Sequence, residues 1–249
     1  MRIAVAGGTG QVGRHTVSAL EEAGHEAVVL SRSEGVDVTT GEGLDEALAG
    51  SQAIVDVTNS TATDPDLTRA FFDGATGHLL DAGKRAGVGH HVVLSILRVD
   101  EIEGNAHYVG KRRQEELVRE GPLAYTIARA PQFYEFPEMV MGWTRDGDTA
   151  IAPPVQVRAA SAEDVGRALA AIAVAEPRDG VLEIVGPEVV DLADLGRRAA
   201  AARGDDVTVE AAWEGTPFGE EMAGPAPEPA ADAMVLPTTA EQWLAAIGR

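Results

Sequence analysis

The stretch Ala4-Val5-Ala6-Gly7-Gly8-Thr9-Gly10-Gln11-Val12-Gly13-Arg14 decides the fold. An apolar run, Ile3 to Ala6, ends in glycines spaced as Gly7, Gly10 and Gly13, and a helix-competent segment, Gln11 to Glu22, follows directly. A strand, a glycine turn and a helix in that order aim unpaired backbone N–H groups at whatever lies above the turn, and add the positive end of a helix dipole. A pyrophosphate is the usual occupant. Gly7 permits the tight turn, Gly10 lets a phosphate approach the backbone, and Gly13 lets the helix pack closely on the strand. Thr9, Gln11 and Val12 lie between these glycines and are expected cofactor contacts with them.

Outward from this turn, residues 2 to about 130 alternate strand and helix. Strands are expected at Ala27–Leu30, at Val36–Thr39 (a short third strand), at Ala53–Val57, at His91–Ile96 and at Tyr125–Ala128. Helices are expected between them, the longest from Asp66 to Ala86 and another over 107–120. Continuous apolar strands separated by helices predict a Rossmann-type doubly wound parallel sheet, α/β in class, with ligands beyond the carboxyl ends of its strands. After Pro131 the rhythm changes to short strand signals, helices at Ala162–Val174 and Leu192–Ala202, and a stiff Pro225–Pro229 segment. The expected division is a nucleotide-binding core over 1–133 and a smaller α+β substrate-side lobe over 134–249, with chain returning to the core.

The 249 residues are 45% apolar, enough for a large core. No apolar run approaches the ~18 residues that a membrane span needs. The N-terminus lacks the pattern of a signal peptide. There is no cysteine, hence no disulfide, thiolate nucleophile or cysteine metal site, and a cytoplasmic protein is expected. A formal charge of −20 argues against nucleic acid and anionic membrane as partners. Only Lys84 and Lys111 are lysines among the 20 basic residues. Where arginine otherwise serves, a retained lysine is a candidate for chemistry that needs a compact ammonium of tunable pKa. A monomer or homodimer is expected, and no metal.

Cofactor selectivity is expected where the second strand ends, at Leu30-Ser31-Arg32-Ser33. A carboxylate there selects NAD, whereas arginine meets the 2′-phosphate of NADP. Here a guanidinium is flanked by two hydroxyls, so Ser31 and Arg32 point to NADP(H) rather than NAD(H). A second constellation lies further on. Ser95 ends a strand, and Asn105-Ala106-His107-Tyr108-Val109-Gly110-Lys111 begins a helix. His107 and Tyr108 stand four and three residues before Lys111, so either shares its face. Reduction of a carbonyl needs a proton at oxygen and a hydride at carbon, and a phenol beside an ammonium suits the first task.

These segments resemble an atypical short-chain dehydrogenase/reductase of the NmrA-like group over essentially the whole chain. The likeness rests on Gly7–Gly13, Gly89–Ser95, Lys111 with Gln114–Leu117, Tyr125–Phe133, Ala162–Val165 and Gly186–Glu188. The resemblance implies that Thr58, Asn59, Pro131 and Phe133 line the nicotinamide and that Asp37-Val38 flanks the adenine. One departure stands out: the family's Tyr-x-x-x-Lys places its tyrosine at 107, where this chain has His107. Either Tyr108 has taken over, or His107 is the acid, or the reductase step is lost. Adjacent helix positions are separated by ~100°, so the two side chains are not interchangeable without a different substrate pose.

The expected function is therefore an NADP(H)-dependent oxidoreductase acting on a carbonyl or conjugated double bond of a hydrophobic small molecule. Ser95, His107, Tyr108 and Lys111 are its candidate catalytic residues. The alternative is a non-catalytic NADP(H)-binding redox sensor. Phe133, Tyr134, Phe136, Trp143 and Phe218 hold much of a sparse aromatic set and form either the second lobe's core or an apolar substrate pocket. Phe218-Gly219-Glu220 is a further candidate, as a lid contact. Asp56, inside an apolar strand, needs a partner such as a backbone N–H or an arginine, because an unpaired buried carboxylate is costly.

Overall fold

A computed structural model describes residues 1–103, 105–216 and 219–248; Phe218 lies outside the described residues. Two compact units are present, one of residues 1–130 with 165–183, the other of 131–164 with 184–249.

In the first unit β1 (Arg2–Ala6), β2 (Glu26–Leu30), β3 (Ala53–Asp56), β4 (His90–Ile96) and β5 (Tyr125–Ala130) alternate with α1 (Gln11–Glu22), α2 (Leu44–Leu48), α3 (Pro65–Ala86) and α4 (Ala106–Glu120). The chain returns with α6 (Ala162–Ala173) and β8 (Gly180–Val185), which pairs in parallel with β5 from Thr126↔Gly180 to Arg129↔Glu183. All pairings in this sheet are parallel, with Ala6 level with both Leu30 and Asp56. The chain leaves β1 for β2 on one side and for β3 on the other, so the direction of winding reverses between β1 and β3. That reversal opens the ligand crevice of such a sheet.

Local rules account for the element ends. Asp64 caps α3 by accepting the Asp66 and Leu67 N–H groups, Pro65 takes the first helical position, and Gly87 closes it in the left-handed region. Leu44 and Leu48 of α2, Leu79 and Leu80 of α3, and Ala4 and Ile54 of the sheet form one core cluster. On the opposite face α6 approaches α1 so closely that a Cβ on Gly166 would meet His15 Cβ at 2.5 Å.

The expected third strand at Val36–Thr39 is not formed. Asp37 instead makes a bridge with Glu42, and its carboxylate accepts the Thr39 N–H at 2.8 Å and hydroxyl at 2.6 Å. This local side-chain turn outcompetes a ladder that would have had to continue beyond β2, and leaves β2 at the sheet edge.

The second unit contains α5 (Phe136–Thr144), β6 (Thr149–Ala152), β7 (Gln156–Val157), β9 (Val190–Asp191), α7 (Leu192–Arg203), β10 (Thr208–Ala211), β11 (Met234–Val235) and α8 (Ala240–Ile247). β6 pairs with β10 in parallel and β7 with β9 antiparallel, while β11 adds to Ile184 and Val185 at the end of β8. Met141, Ala150, Ala152, Ala193 and Val209 form its core. Tyr134 is fully buried, stacks on Trp243 and donates its hydroxyl to the Thr238 carbonyl at 3.0 Å. It therefore belongs to the core of this unit. Among the described residues no helix is long and apolar enough to cross a membrane.

Candidate functional site

The site is built at the carboxyl edge of β1 to β4. After Ala6 the chain turns through Gly7 at φ +79°, where a Cβ would lie 2.9 Å from the Val57 carbonyl oxygen. The turn closes with Gly10 N–H donating to Gly7 C=O at 2.9 Å. Gly10 is the N-cap of α1 and has no side chain to cap it, and no carboxylate lies in the first turn. The N–H groups of Gln11, Val12 and Gly13 thus stand at a helix start that nothing on its own element neutralises. Gly13 packs against the turn so tightly that a Cβ would sit 2.2 Å from Gly7 O. Gly10, Thr9 and Gln11 are exposed and Val12 is buried. The arrangement fits a pyrophosphate: donors converge, side chains are withheld, and a Cβ at Gly10 would have only Gly7 O, at 3.2 Å, near it.

Beyond β2, Ser31 precedes a short 3-10 turn, Arg32–Glu34, and its hydroxyl bonds to that of Ser33 at 2.8 Å. Arg32 is exposed and, among the described residues, makes no ion pair. Its guanidinium is free to meet a phosphate. The Asp37 carboxyl is held below its ordinary range by the Thr39 hydroxyl and N–H, while Val38 packs on the core.

Beyond β3 lies a buried polar network. The fully buried Asp56 accepts the Thr58 N–H at 3.0 Å and hydroxyl at 2.6 Å on one oxygen, and the Gln114 amide at 2.9 Å on the other. Its partners are a backbone N–H, as expected, and three uncharged side chains, the third being the Thr76 hydroxyl at 3.5 Å; among the described residues no arginine takes part. Lys111, 5% exposed, donates to the carbonyls of Thr58 (3.1 Å) and Leu94 (3.0 Å) and to Gln114 Oε1 (2.9 Å). Its Nζ also lies 5.0 Å from the centre of the Phe72 ring. Gly110 makes this reach possible, since a Cβ there would strike Thr68 Cγ2 at 2.2 Å and so hold α4 off α3. Burial pulls the Lys111 ammonium down to about 8, with Asp56 and Glu115 opposing. Asn59, next along, is exposed.

Ser95, one residue before the end of β4, is 2% exposed, and its hydroxyl has no partner among the described residues. The loop after it is tied down by Arg112, which donates to the carbonyls of Val99 (2.6 Å) and Ile102 (2.7 Å), and by Arg129, which bridges Asp100 and the buried Glu115. α4 then starts at Asn105, whose side chain accepts the His107 N–H. His107 is half-buried, whereas Tyr108 is 1% exposed, and their rings meet edge to face at 6.3 Å. Thr58, Lys111 and the end of β4 are thus brought into contact, with His107 and Tyr108 at the head of the same helix. Pro131 directly follows β5 and Phe133 bridges to Ala160; both belong to the second unit. The sequence reading left Gln114 without a role. The available signal was its position three residues after Lys111, on the same helix face.

His90 and His91 point to opposite faces of β4. His90 shares a hydrogen bond with the Thr126 hydroxyl at 2.9 Å, and His91 Nε2 lies 3.9 Å from Asp56. Burial lowers the pKa of both, and burial with the Lys111 charge lowers His107 to about 4. Between pH 6.5 and about 4 the unfolded chain binds a proton at His107 and the native chain does not, and the lowered His90 and His91 act in the same direction, so stability falls with falling pH. Urea midpoints measured from pH 7 down to 5 are expected to drop. His107→Gln is expected to flatten part of that slope, His107 alone accounting for about 3 kcal/mol or slightly more over its whole titration. An unchanged slope in that variant would contradict its neutral, buried state.

The NAD(P)H-binding family profile matches residues 7–176. The photosystem II assembly factor Ycf39 of Synechocystis sp. is 30% identical over 149 residues, 54% of this chain and 46% of that protein, so the match spans less than half of that relative. Among solved structures, MoeE5 in complex with UDP-glucose and NAD superposes with a TM-score of 0.75 at 19% identity, covering 100% of this chain and 97% of that one. The NADPH-dependent quinone oxidoreductase QOR2 of Escherichia coli gives 0.65 at 20% identity, covering 84% and 78%. With the glycine cradle and parallel sheet described above, the chain belongs to the NAD(P)H-binding family, of the atypical short-chain dehydrogenase/reductase kind.

Proposed function

We propose that the protein is an NADP(H)-dependent reductase of a carbonyl or conjugated double bond in a hydrophobic small molecule. The observation that carries this reading is the glycine cradle at the end of β1 with the free, exposed Arg32 just past β2. In it Gly7, Thr9, Gly10 and the first-turn N–H groups of Gln11, Val12 and Gly13 hold the pyrophosphate. Ser31 and Arg32 take the 2′-phosphate, and the Asp37-Val38 turn takes the adenine. Thr58, Asn59, Ser95, Lys111, Pro131 and Phe133 serve the nicotinamide end. When bound, the dinucleotide supplies a hydride.

The chain's own residues orient the substrate oxygen and place a proton near it. His107 retains solvent exposure and is uncharged at neutral pH, so its ring N–H can polarise an oxygen without bringing charge. Tyr108 is enclosed. We therefore place His107 ahead of Tyr108 for this role, with the Ser95 hydroxyl as a second donor. Lys111, whose three protons are engaged, contributes through its charge and through Thr58, whose carbonyl it holds. The substrate class is a hydrophobic molecule with a carbonyl or conjugated double bond. The NADPH-dependent quinone oxidoreductase among the structural neighbours has a substrate of this class.

Arg32→Ala is expected to weaken NADPH binding about 10-fold or more, as befits a hydrogen bond to a charged group, and to leave NADH binding unchanged. Fluorescence titration of both cofactors decides it, and equal losses would contradict NADP(H) selection.

A second reading, a redox sensor that binds NADP(H) without turnover, is favoured by the internal engagement of Lys111 and the enclosure of Tyr108. NADPH oxidation over a panel of quinones, enones, ketones and aldehydes separates the two. Turnover with any of them supports the reductase; tight binding with none supports the sensor.

A further inference from the structure

An ammonium and a carboxylate, both withdrawn from water, stand at the winding reversal between β1 and β3, joined through a single neutral side chain. Gln114 accepts from Lys111 Nζ on its oxygen and donates to Asp56 Oδ2 from its nitrogen, each at 2.9 Å, and is itself fully buried. Its amide is oriented by these two charges. Turned over, it would set N–H against an ammonium and C=O against a carboxylate. The ends of the chain of contacts are the segments that hold the nicotinamide side of the proposed site: Asp56 fixes the Thr58 N–H and hydroxyl, and Lys111 fixes the Thr58 and Leu94 carbonyls.

We propose that Gln114 is a positioning residue that couples Lys111 to Asp56 and so fixes the place and charge of the ammonium between the carboxyl ends of β3 and β4. This rests on the reading of Lys111 and Thr58 as serving the cofactor. Direct contact would join the two charges as an ion pair; the interposed amide instead spreads them across both strand ends. A buried amide in this place satisfies both charges, and no apolar residue of the same size does so. The groups that bear on Lys111 are Asp56 from β3, His91 from β4, and Glu115 and His107 from its own helix; α3 contributes the Phe72 ring and the Thr76 hydroxyl, 3.5 Å from Asp56.

Because Lys84 and Lys111 are the only lysines, NMR of protein carrying 13C-labelled lysine resolves both titrations without assignment of a crowded spectrum. In the cofactor-free protein Lys111 is expected to titrate near 8. Gln114→Met removes one acceptor and is expected to lower the Lys111 midpoint further. Gln114→Glu places a carboxylate there and is expected to raise it. NADPH binding is expected to weaken about 10-fold in Gln114→Met, the size of one lost hydrogen bond to a charged group, and to be largely retained in Gln114→Glu. A Lys111 midpoint that is the same in wild type and either folded variant overturns the proposal. Unchanged NADPH affinity in Lys111→Met, with the midpoints moving as stated, would instead overturn the assignment of Lys111 to the cofactor and leave the coupling standing.

Discussion

Gly13→Ala is expected to abolish dinucleotide binding and to lower stability, whereas Gly10→Ala is expected to lose binding with the fold intact. The difference lies in what each new methyl meets. At position 13 it would lie 2.2 Å from Gly7 O, 2.7 Å from Gly8 Cα and 2.9 Å from Gly7 C, all backbone. No side chain can swing aside, so the helix must lift from the strand or the turn must open, and the bond from Gly10 N–H to Gly7 C=O goes with it. Overpacking of this kind costs about 1–3 kcal/mol. At position 10 the backbone is at φ −75°, open to any residue, and the methyl meets only Gly7 O, at 3.2 Å. The fold adjusts by a few tenths of an ångström, but the methyl now stands where a phosphate must approach the first-turn N–H groups. Urea melts paired with NADPH titration read both effects. Gly10→Ala that binds NADPH like the wild type would remove the cradle from the cofactor site.

Much of this was legible in the chain. Apolar runs such as Ile3–Ala6 and His91–Ile96 announce buried parallel strands because both faces of the sheet are covered, and glycine spacing announces the turn. The region after β2 reads as a third strand because Val36 and Val38 alternate as strand residues do. The Asp37 carboxylate, which captures Thr39, decides the matter locally. In the second unit the strand signals at Val155–Val157 and Val207–Glu210 correspond to β7 and β10, whereas α5 is hidden because Pro137 and Gly142 obscure its helical period, and β6, β9 and β11 carry too few positions for a period to register. Asp56 was visible as an anomaly but its partner was not. Gln114 lies 58 residues away, and only the folding of α4 over the sheet brings the two together.

Lys111→Met is expected to destabilise the protein by about 3–5 kcal/mol, and Asp56→Asn in the same chain is expected to restore a large part of that loss. Methionine matches the length of the lysine stem and is at home beside Phe72, so packing is not the cause. The loss comes from the carboxylate of Asp56, left as a buried charge with no cation in its network, together with the carbonyls of Thr58 and Leu94, left without their donor. Neutralising Asp56 removes the larger of these penalties, so the two substitutions together cost less than the sum of each alone, and the double-mutant cycle reports their coupling. The sign of the pH dependence gives a second, independent readout. Lys111 loses its proton near pH 8 in the fold and near 10.5 when unfolded. Between these values the unfolded chain binds the extra proton, so the wild type gains stability relative to Lys111→Met as pH rises, by about 1.4 kcal/mol for each pH unit crossed. Additive losses in the cycle would mean that the ammonium and the carboxylate act separately, and that the ends of β3 and β4 are held by their backbone alone; a difference that is flat from pH 8 to 10 would contradict the burial that lowers the ammonium midpoint.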